Sequence, residues 1–254
     1  MFSDLTSVSF GASRGWDSTY RVLDTTGTRD PSFQGKSGAR SYDLEVTQVL
    51  TRNLTAQLAA DVITEEGFLS SPDLAVRYLT AEGIGLSAEN KPTTRTRDVA
   101  GVHLKYYLPR RAALTVGGRY SSDTWGVRSS TWDLAYLKPL HHDRLTLELD
   151  ARLYRQSHAN FYSDLAASPT TGLLSRDRTL AQFHSTLVGV QTTYDFGAKA
   201  RLRLKKLTGS LRLDLINTRY ADFSRATMGT LTPGIEPLYH PSGYFAQLHL
   251  TGWF

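Results

Sequence analysis

The sequence predicts an all-β fold, an antiparallel up-and-down transmembrane β-barrel with about ten strands in this chain. Three observations lead to this prediction. Apolar and polar residues alternate in many segments of about ten residues, the length at which a tilted strand crosses a bilayer. Short turns and long loops mostly alternate between these segments, as on the two sides of an outer membrane. The chain ends on Trp253 and Phe254, which suit the interfacial aromatic girdle of a membrane barrel.

The composition fits one domain spanning residues 1–254 and offers no membrane-spanning helix. No run of about 18 apolar residues occurs, and the mean hydropathy is -0.31. A transmembrane barrel tolerates this value because only one face of each strand meets lipid. The chain has 0 cysteines, which fits an oxidising compartment. Its 29 basic and 24 acidic residues are interspersed, so a net charge of +5 predicts no nucleic-acid partner.

Ten segments carry the alternation, with apolar residues at every second position. Their apolar rows begin, in chain order, at Val8, Tyr42, Leu54, Ala100, Leu114, Trp132, Leu145, Val188, Gly209 and Tyr244. The clearest two-residue period runs from Leu145 to Tyr154. The segment from Leu180 to Phe196 has two readings, because Phe183 and Leu187 lie opposite the row that contains Val188. We predict that the row with Val188 is the lipid-facing one.

The connections sort into two sets. Long loops rich in Gly, Pro, Ser and Asp are predicted at 24–38, 64–97, 155–178 and 220–243, with a shorter one at 121–126. Short turns are predicted at 52–53, 109–111, 138–144 and 197–206. If the C-terminus lies in the periplasm, the loops are external and the turns are periplasmic. A soluble sandwich has no reason to sort its connections in this way.

The residues opposite the apolar rows carry charges of both signs. Facing lipid at the bilayer midplane, one Arg or Lys would cost about 2–4 kcal/mol. We therefore predict that these residues line a lumen, either interlocking to close it or lining a wet channel that selects ions. The candidate lumen-lining residues are Asp43, Glu45, Asp61, His103, Lys105, Arg119, Asp133, Glu148, Asp150, Arg152, Arg212, Asp214 and His249.

Candidate catalytic residues are few. His158, Asp164, His184 and His240 lie in or near the predicted external loops, but there is no GxSxG motif and nothing in the sequence brings these residues together. The run from His141 to Asp143 offers two adjacent histidines in a turn with no third ligand in register, which favours a solvated turn over a metal site. We predict no catalytic residue, no cofactor and no metal.

Several phrases resemble a family of bacterial proteins catalogued as domain of unknown function 3570. They are MFSDLTSVSFGASRGWD (1–17), EEGFLSSPDLAVRY (65–78), RTRDVAGVHLKYYLPRRAA (95–113), SDTWG (122–126), FYSD (161–164) and EPLY (236–239). The resemblance covers nearly the whole chain. It implies a signal-bearing outer-membrane β-barrel of uncharacterised role, and it brings no catalytic residues.

The resemblance also bears on the start of the chain. Met1 to Asp4 shows no signal peptide, which an outer-membrane protein needs. In similar proteins the segment like Met1 to Asp17 is internal, so the resemblance implies the C-terminal part of a longer barrel, started at an internal methionine. The strand from Ser7 to Trp16 would then pair with Tyr244 to Phe254 to close a smaller barrel, or leave its edge open.

These observations predict an integral protein of the bacterial outer membrane that acts as a non-catalytic pore, transport protein, or binding or secretion accessory. The expected partners are outer-membrane lipid, small solutes or ions, and the barrel-assembly machinery, which would bind the C-terminal strand ending at Phe254. Two alternatives remain. One is an outer-membrane enzyme with an active site at the external rim, and the other is a soluble β-sandwich binder.

Overall fold

The computed structural model of the protein describes residues 5–23, 27–169, 171–199, 204–226 and 232–254. Twelve strands lie in these residues: β1 (Thr6–Val22), β2 (Arg29–Thr51), β3 (Leu54–Gly67), β4 (Ala75–Thr80), β5 (Gly83–Ala88), β6 (Thr94–Tyr107), β7 (Ala113–Asp123), β8 (Arg128–Leu140), β9 (Leu145–Gln156), β10 (Phe183–Lys199), β11 (Leu204–Tyr220) and β12 (Ser242–Trp253). Short 3-10 turns occupy Pro109–Arg111 and Arg178–Leu180. In this part of the chain, no helix is long and apolar enough to cross a membrane.

Ten of the strands form one antiparallel sheet in the order β1-β2-β3-β6-β7-β8-β9-β10-β11-β12. Each strand pairs with its predecessor, except that the separate β4–β5 hairpin is inserted between β3 and β6. This is the up-and-down order expected from the sequence, and it confirms an all-β antiparallel fold. Within the described ranges, no strand pairing joins β1 to β12, so the sheet has two edges there.

The pairing register separates an apolar face from a polar face. Phe10 lies opposite Leu44, and Leu44 lies opposite Ala60, so the predicted apolar rows continue from strand to strand. At the other end of the sheet, Leu149 lies opposite Val190. Most large side chains of this apolar face are exposed, with Phe10 at 72%. The rows therefore do not pack against a second layer of the described structure.

In strand β10, the row that contains Val188 lies on the apolar face. Val188 lies opposite Ala151 and Leu215, on the apolar face, whereas Phe183 lies opposite Gln156 and Tyr220. The row with Val188 therefore belongs to the apolar face, as expected, and that this face meets lipid stays a prediction.

The first predicted loop is wrong. Residues 24–38 were expected to form a long loop, but β1 extends to Val22 and β2 begins at Arg29, so much of this segment is a two-stranded ribbon. The polar composition of this segment is typical of a loop, but side-chain contacts between the two strands favour their pairing. The guanidinium of Arg29 lies 4.3 Å from the ring centre of Tyr20, for example, and that of Arg21 lies 4.7 Å from the ring centre of Phe33.

The turn predicted at 52–53 has that length in the structure, because β2 ends at Thr51 and β3 begins at Leu54. The remaining connections agree with the prediction in place, but their ends differ. The loop expected at 64–97 is shortened to 68–93, because Glu65 still pairs with Arg95, and it contains the β4–β5 hairpin. The turn at His141 to Asp143 holds three residues with left-handed φ values of 48°, 56° and 67°. The turn predicted at 197–206 overlaps β10 and β11, and its central residues, 200–203, lie outside the described ranges, as does the stretch 1–4.

Candidate functional site: the polar face and its loop cap

All thirteen residues predicted to line a lumen lie on the polar face. Asp43 lies opposite Asp61, and Asp133 lies opposite Arg152. His103 lies opposite Gly117 on the same face. The register of the remaining strands adds Glu45, Lys105, Arg119, Glu148, Asp150, Arg212, Asp214 and His249. That this face encloses a lumen stays a prediction.

Seven of the thirteen form ion pairs with one another. Arg152 Nε lies 2.5 Å from Asp133 Oδ1, and Arg119 Nη2 lies 3.2 Å from Asp61 Oδ2. These contacts join charges one strand or two strands apart, and each offsets the cost of holding a charge on the face. Among the described residues, Asp43, Glu45, His103, Lys105, Glu148 and His249 make no ion pair.

A glycine leaves room for the two ion pairs of Arg212, which link three neighbouring strands. Asp150 of β9 and Asp214 of β11 flank Gly189 of β10, and Arg212 binds both carboxylates, at 3.1 Å and 2.8 Å. A Cβ atom at Gly189 would lie 2.7 Å from the carboxylate oxygens of Asp150 and still closer to Asp214. A side chain at this position would displace the two carboxylates from their shared arginine.

The connections at one end of the sheet pack together. We call the described parts of residues 68–93, 124–127, 157–182 and 221–241 the loop cap. Backbone bridges join its segments: Leu79 N–H donates to Ala166 O at 3.0 Å, Asn90 N–H to Leu174 O at 2.9 Å, and Ala221 N–H to Gln182 O at 2.9 Å. Connections from three distant parts of the chain therefore form one structure at the end where external loops were predicted.

A buried charged cluster holds three of these connections together. Arg77 of β4 binds Glu236 at 2.6 Å and Asp164 at 3.2 Å, and it donates to Ser224 Oγ at 3.1 Å. Arg176 binds Asp164 on its other oxygen, at 2.8 Å. The side chains of Arg77 and Glu236 are only 8% and 5% exposed. We call these five residues the Arg77 cluster.

A second cluster joins residues 68–93 to residues 157–182. Lys91 Nζ lies 3.2 Å from Glu89 Oε2 and 2.8 Å from Asp177 Oδ2. Glu89 also accepts hydrogen bonds from the fully buried Ser175 hydroxyl and, at 2.9 Å, from Ser71 N–H. Because each buried charge has a partner of opposite sign, both clusters meet the condition under which buried ions are tolerated.

The loop cap also contains an apolar core. Trp125, Val127, Ala159 and Leu180 are buried together, with Leu69, Phe161 and Tyr162 packed against them. Trp125 and Phe161 meet edge to face at 5.2 Å, and Trp125 Nε1 donates to Thr94 O at 2.8 Å. Most of the buried apolar residues of the described chain thus lie at this end, while the apolar rows of the strands are exposed.

Two adjoining cavities lie between the polar face and the loop cap. The smaller, of about 290 Å³, has walls from β3 and β6 to β9 and a roof of Thr179 and Leu180. The larger, of about 790 Å³, has walls from β6 to β11 and is roofed in addition by Tyr239 and Pro241. Gln156 fixes the roof, because its amide nitrogen donates to Thr179 O at 2.8 Å and to Ala181 O at 2.7 Å.

The four residues first considered for catalysis have separate surroundings. Asp164 belongs to the Arg77 cluster. His158 Nδ1 lies 2.8 Å from Asp222 Oδ2, and its ring stacks on Tyr162. His184 lies in β10 opposite Arg155 and Arg219, and His240 lies in the loop before β12. In the described ranges, no group of three His, Cys, Asp or Glu side chains could hold a metal.

The phenol of Tyr162 is held in its neutral form beside this histidine. Burial, with the nearby charges of Asp222 and Asp164, raises the pKa of Tyr162 well above its usual range. Its hydroxyl donates to the backbone oxygen of Asp222 at 3.0 Å. Tyr162 therefore acts as a structural donor that fixes the segment carrying Asp222.

Acid is expected to loosen the loop cap. Burial alone would raise the pKa of Glu236, but hydrogen bonds from Arg77 and from backbone N–H groups hold it below the ordinary value of 4.5. Asp177 is likewise held below 3.8, because hydrogen bonds from Lys91 and Thr179 outweigh burial. Such carboxyls stabilise the fold above their ordinary pKa values, and this contribution is lost as the pH falls through the lowered values.

Hydrogen–deuterium exchange measures this effect. Between pH 7 and about pH 5 we expect constant protection in peptides from residues 71–92. Below that range their protection should fall relative to peptides from β9, measured in the same sample and corrected for the intrinsic rate. Parallel loss in both sets of peptides would contradict a local effect of these carboxyls.

In fold, the chain is similar to outer-membrane proteins. One similar structure is OmpT (in-vitro folded), an outer membrane protein of Vibrio cholerae in its trimer form, with a TM-score of 0.50 and 12% identity. The match covers 88% of this chain and 62% of that one. Another is outer-membrane expressed OmpT of Vibrio cholerae, with a TM-score of 0.51 and 12% identity, over 99% of this chain and 78% of that one.

The chain belongs to the family described as protein of unknown function (DUF3570), whose model matches residues 3–211. This membership confirms the resemblance found in the sequence. Among curated proteins, no sequence matches this chain.

Proposed function

We propose that this chain forms the wall of an integral outer-membrane β-barrel that acts, without catalysis, as a passage or binding site for small solutes or ions. The observation that carries the proposal is that the sheet has one exposed apolar face and one charged, polar face. The apolar rows are exposed along the sheet, and the seven ion-paired residues of the predicted lumen set lie on the other side. An apolar surface of this extent is unfavourable in water and is stable against lipid.

The polar face supports the same arrangement from the inside. Its arginines would each cost about 2–4 kcal/mol if they faced lipid at the midplane, whereas a water-filled interior solvates them. The loop cap would lie on the external side and would narrow the entrance. The outer membrane is the location that this proposal requires, with lipid against the apolar face.

The C-terminal strand supports a role in assembly. In β12, Tyr244, Leu248 and Leu250 are exposed on the apolar face, and Phe254, which follows this strand, is exposed as well. We propose that the barrel-assembly machinery binds this strand through its edge, which is unpaired in the described sheet, and through Phe254.

Planar-bilayer recording tests the passage. The protein refolded in detergent and inserted into a bilayer should give discrete conductance steps, while a preparation denatured by heating should give none. Recovery of folded protein from the aqueous phase without detergent would overturn the membrane assignment. It would also favour the β-sandwich alternative, which requires the apolar rows to be covered.

The enzyme alternative has one observation in its favour. His158 and Asp222 form the hydrogen-bonded pair with which a general base is oriented, and His158 is 54% exposed at the external end. No serine, threonine or tyrosine hydroxyl of the described chain is hydrogen-bonded to His158. A fluorophosphonate probe tests this reading: covalent labelling of the folded protein that disappears in His158→Ala would support an enzyme, and no labelling would count against a serine nucleophile.

A further inference from the structure

We propose that the smaller cavity beneath the loop cap is a binding site for a small solute that carries an oxyanion, and that Arg97 is its principal ligand. We call it the Arg97 cavity. The inference rests on the proposed function and deepens it, because it assigns the chemical class of the solute that reaches the polar face.

The charge lining the Arg97 cavity is predominantly positive. Arg95, Arg97 and Arg119 line it, against a single carboxylate from Asp123. This carboxylate is already saturated: it binds Arg95 at 2.5 Å and accepts backbone N–H groups of Trp125 and Val127 at 3.0 Å and 2.9 Å. Its side chain is only 1% exposed, so Asp123 presents little negative charge to a ligand.

Arg97 differs from the other two arginines. Arg95 is held by Asp123, and Arg119 is held by Asp61 at 3.2 Å. Arg97 is half-buried on the polar face, opposite Ile63 and Asp123, and no described carboxylate lies within ion-pair distance of it. The carboxylates of Asp123 and Glu65 attract Arg97 only from beyond ion-pair distance, so a bound anion would be the first close partner of this half-buried guanidinium.

The remaining lining suits an oxyanion in size and in chemistry. Hydroxyl groups of Ser121, Ser129 and Thr131 face the same space as Arg97. The planar fork of a guanidinium matches the two oxygens of a carboxylate or phosphate. A volume of about 290 Å³ holds such a group with several waters.

The larger cavity provides access for an anion. It shares Arg119, Thr131, Tyr154 and Thr179 with the Arg97 cavity, so the two adjoin. Its lining adds Arg152 and Arg178, and its carboxylate, Asp133, is paired with Arg152. The positive lining therefore continues along the polar face, which favours anions over cations on the way to Arg97.

Isothermal titration calorimetry with inorganic phosphate tests the site, on the full chain refolded in lipid-free detergent. Binding by the wild type in this medium shows that a free anion occupies the site without a lipid headgroup. Arg97→Gln should weaken binding at least about tenfold, because a charge-assisted hydrogen-bonded pair is lost. Arg97→Lys should weaken it less, because it keeps the charge but not the fork.

The control is Arg52→Gln, an exposed arginine in the turn at the opposite end of the sheet, which should leave binding unchanged. Circular dichroism verifies the fold of each variant, and Arg97→Lys decides the question if Arg97→Gln does not fold. No phosphate binding by the wild type at millimolar concentration, or equal binding by the wild type and a folded Arg97 variant, would overturn the proposal.

Bilayer recording separates this proposal from the proposed function. Conductance steps without phosphate binding would overturn the anion site and leave the passage in place. Phosphate binding that depends on Arg97, without any conductance, would support the site and overturn the passage.

Discussion

Arg77→Met is expected to open the loop cap while the sheet stays folded. The variant leaves the carboxylates of Asp164 and Glu236 without the arginine that links them, and Glu236 is almost fully buried. Breaking a buried pair by removing one partner costs about 3–5 kcal/mol, because the other charge remains buried and uncompensated. Limited proteolysis should therefore cleave the cap connections in the variant much faster than in the wild type, while heat unfolding of the sheet changes little.

Arg40→Met is the matched control. Arg40 binds Glu66 at 2.9 Å, but the two side chains are 46% and 63% exposed. An exposed pair of this kind contributes about 0–1 kcal/mol. Equal protease sensitivity of the two variants would show that the Arg77 cluster does not hold the cap closed.

Leu149→Arg is expected to destabilise the folded protein in a bilayer by about 2–4 kcal/mol. Leu149 lies in the middle of β9 on the apolar face, 44% exposed, between Tyr136 and Val190 on the neighbouring strands. In the proposed barrel, an arginine there would face hydrocarbon, where nothing solvates its charge. Urea unfolding from lipid vesicles measures the free energy directly.

Thr146→Arg provides the comparison on the same strand. Thr146 lies on the polar face, opposite Thr193, so its arginine would face away from the lipid. We expect a change in stability of less than about 1 kcal/mol. Equal effects of the two substitutions would contradict the assignment of the faces.

The fold was predictable because its main signal is local. A two-residue period such as that of Leu145 to Leu153 needs only the neighbouring positions to be recognised, and ten such rows gave the order of the sheet. The strand ends were not predictable in this way. At Tyr20 and Arg29 the ribbon is stabilised by contacts between side chains on different strands, and its polar residues are indistinguishable from those of a loop.

For the candidate site, too, the features set by local sequence patterns were predictable and those set by distant contacts were not. The polar face followed from alternation, so all thirteen candidates lie on one side. The loop cap did not, because its contacts join positions far apart in the sequence, with Arg77 and Glu236 separated by 159 positions. Arg77, Arg97, Asp164 and Glu236 all lie within the phrases that carried the family resemblance, and those phrases were the available signal for this end of the molecule.

The separation between Arg77 and Glu236 also orders the steps of biogenesis. Because 159 positions separate Arg77 from Glu236, the link between them requires that the chain as far as Glu236 is present, and we expect it to form late. A closed loop cap consequently marks a chain that extends at least as far as Glu236. In the proposed orientation, with the loop cap outside the cell, chains that lack β11, β12 and the segment between them would leave Arg77 without Glu236, and an externally added protease should cleave their cap faster than that of complete chains.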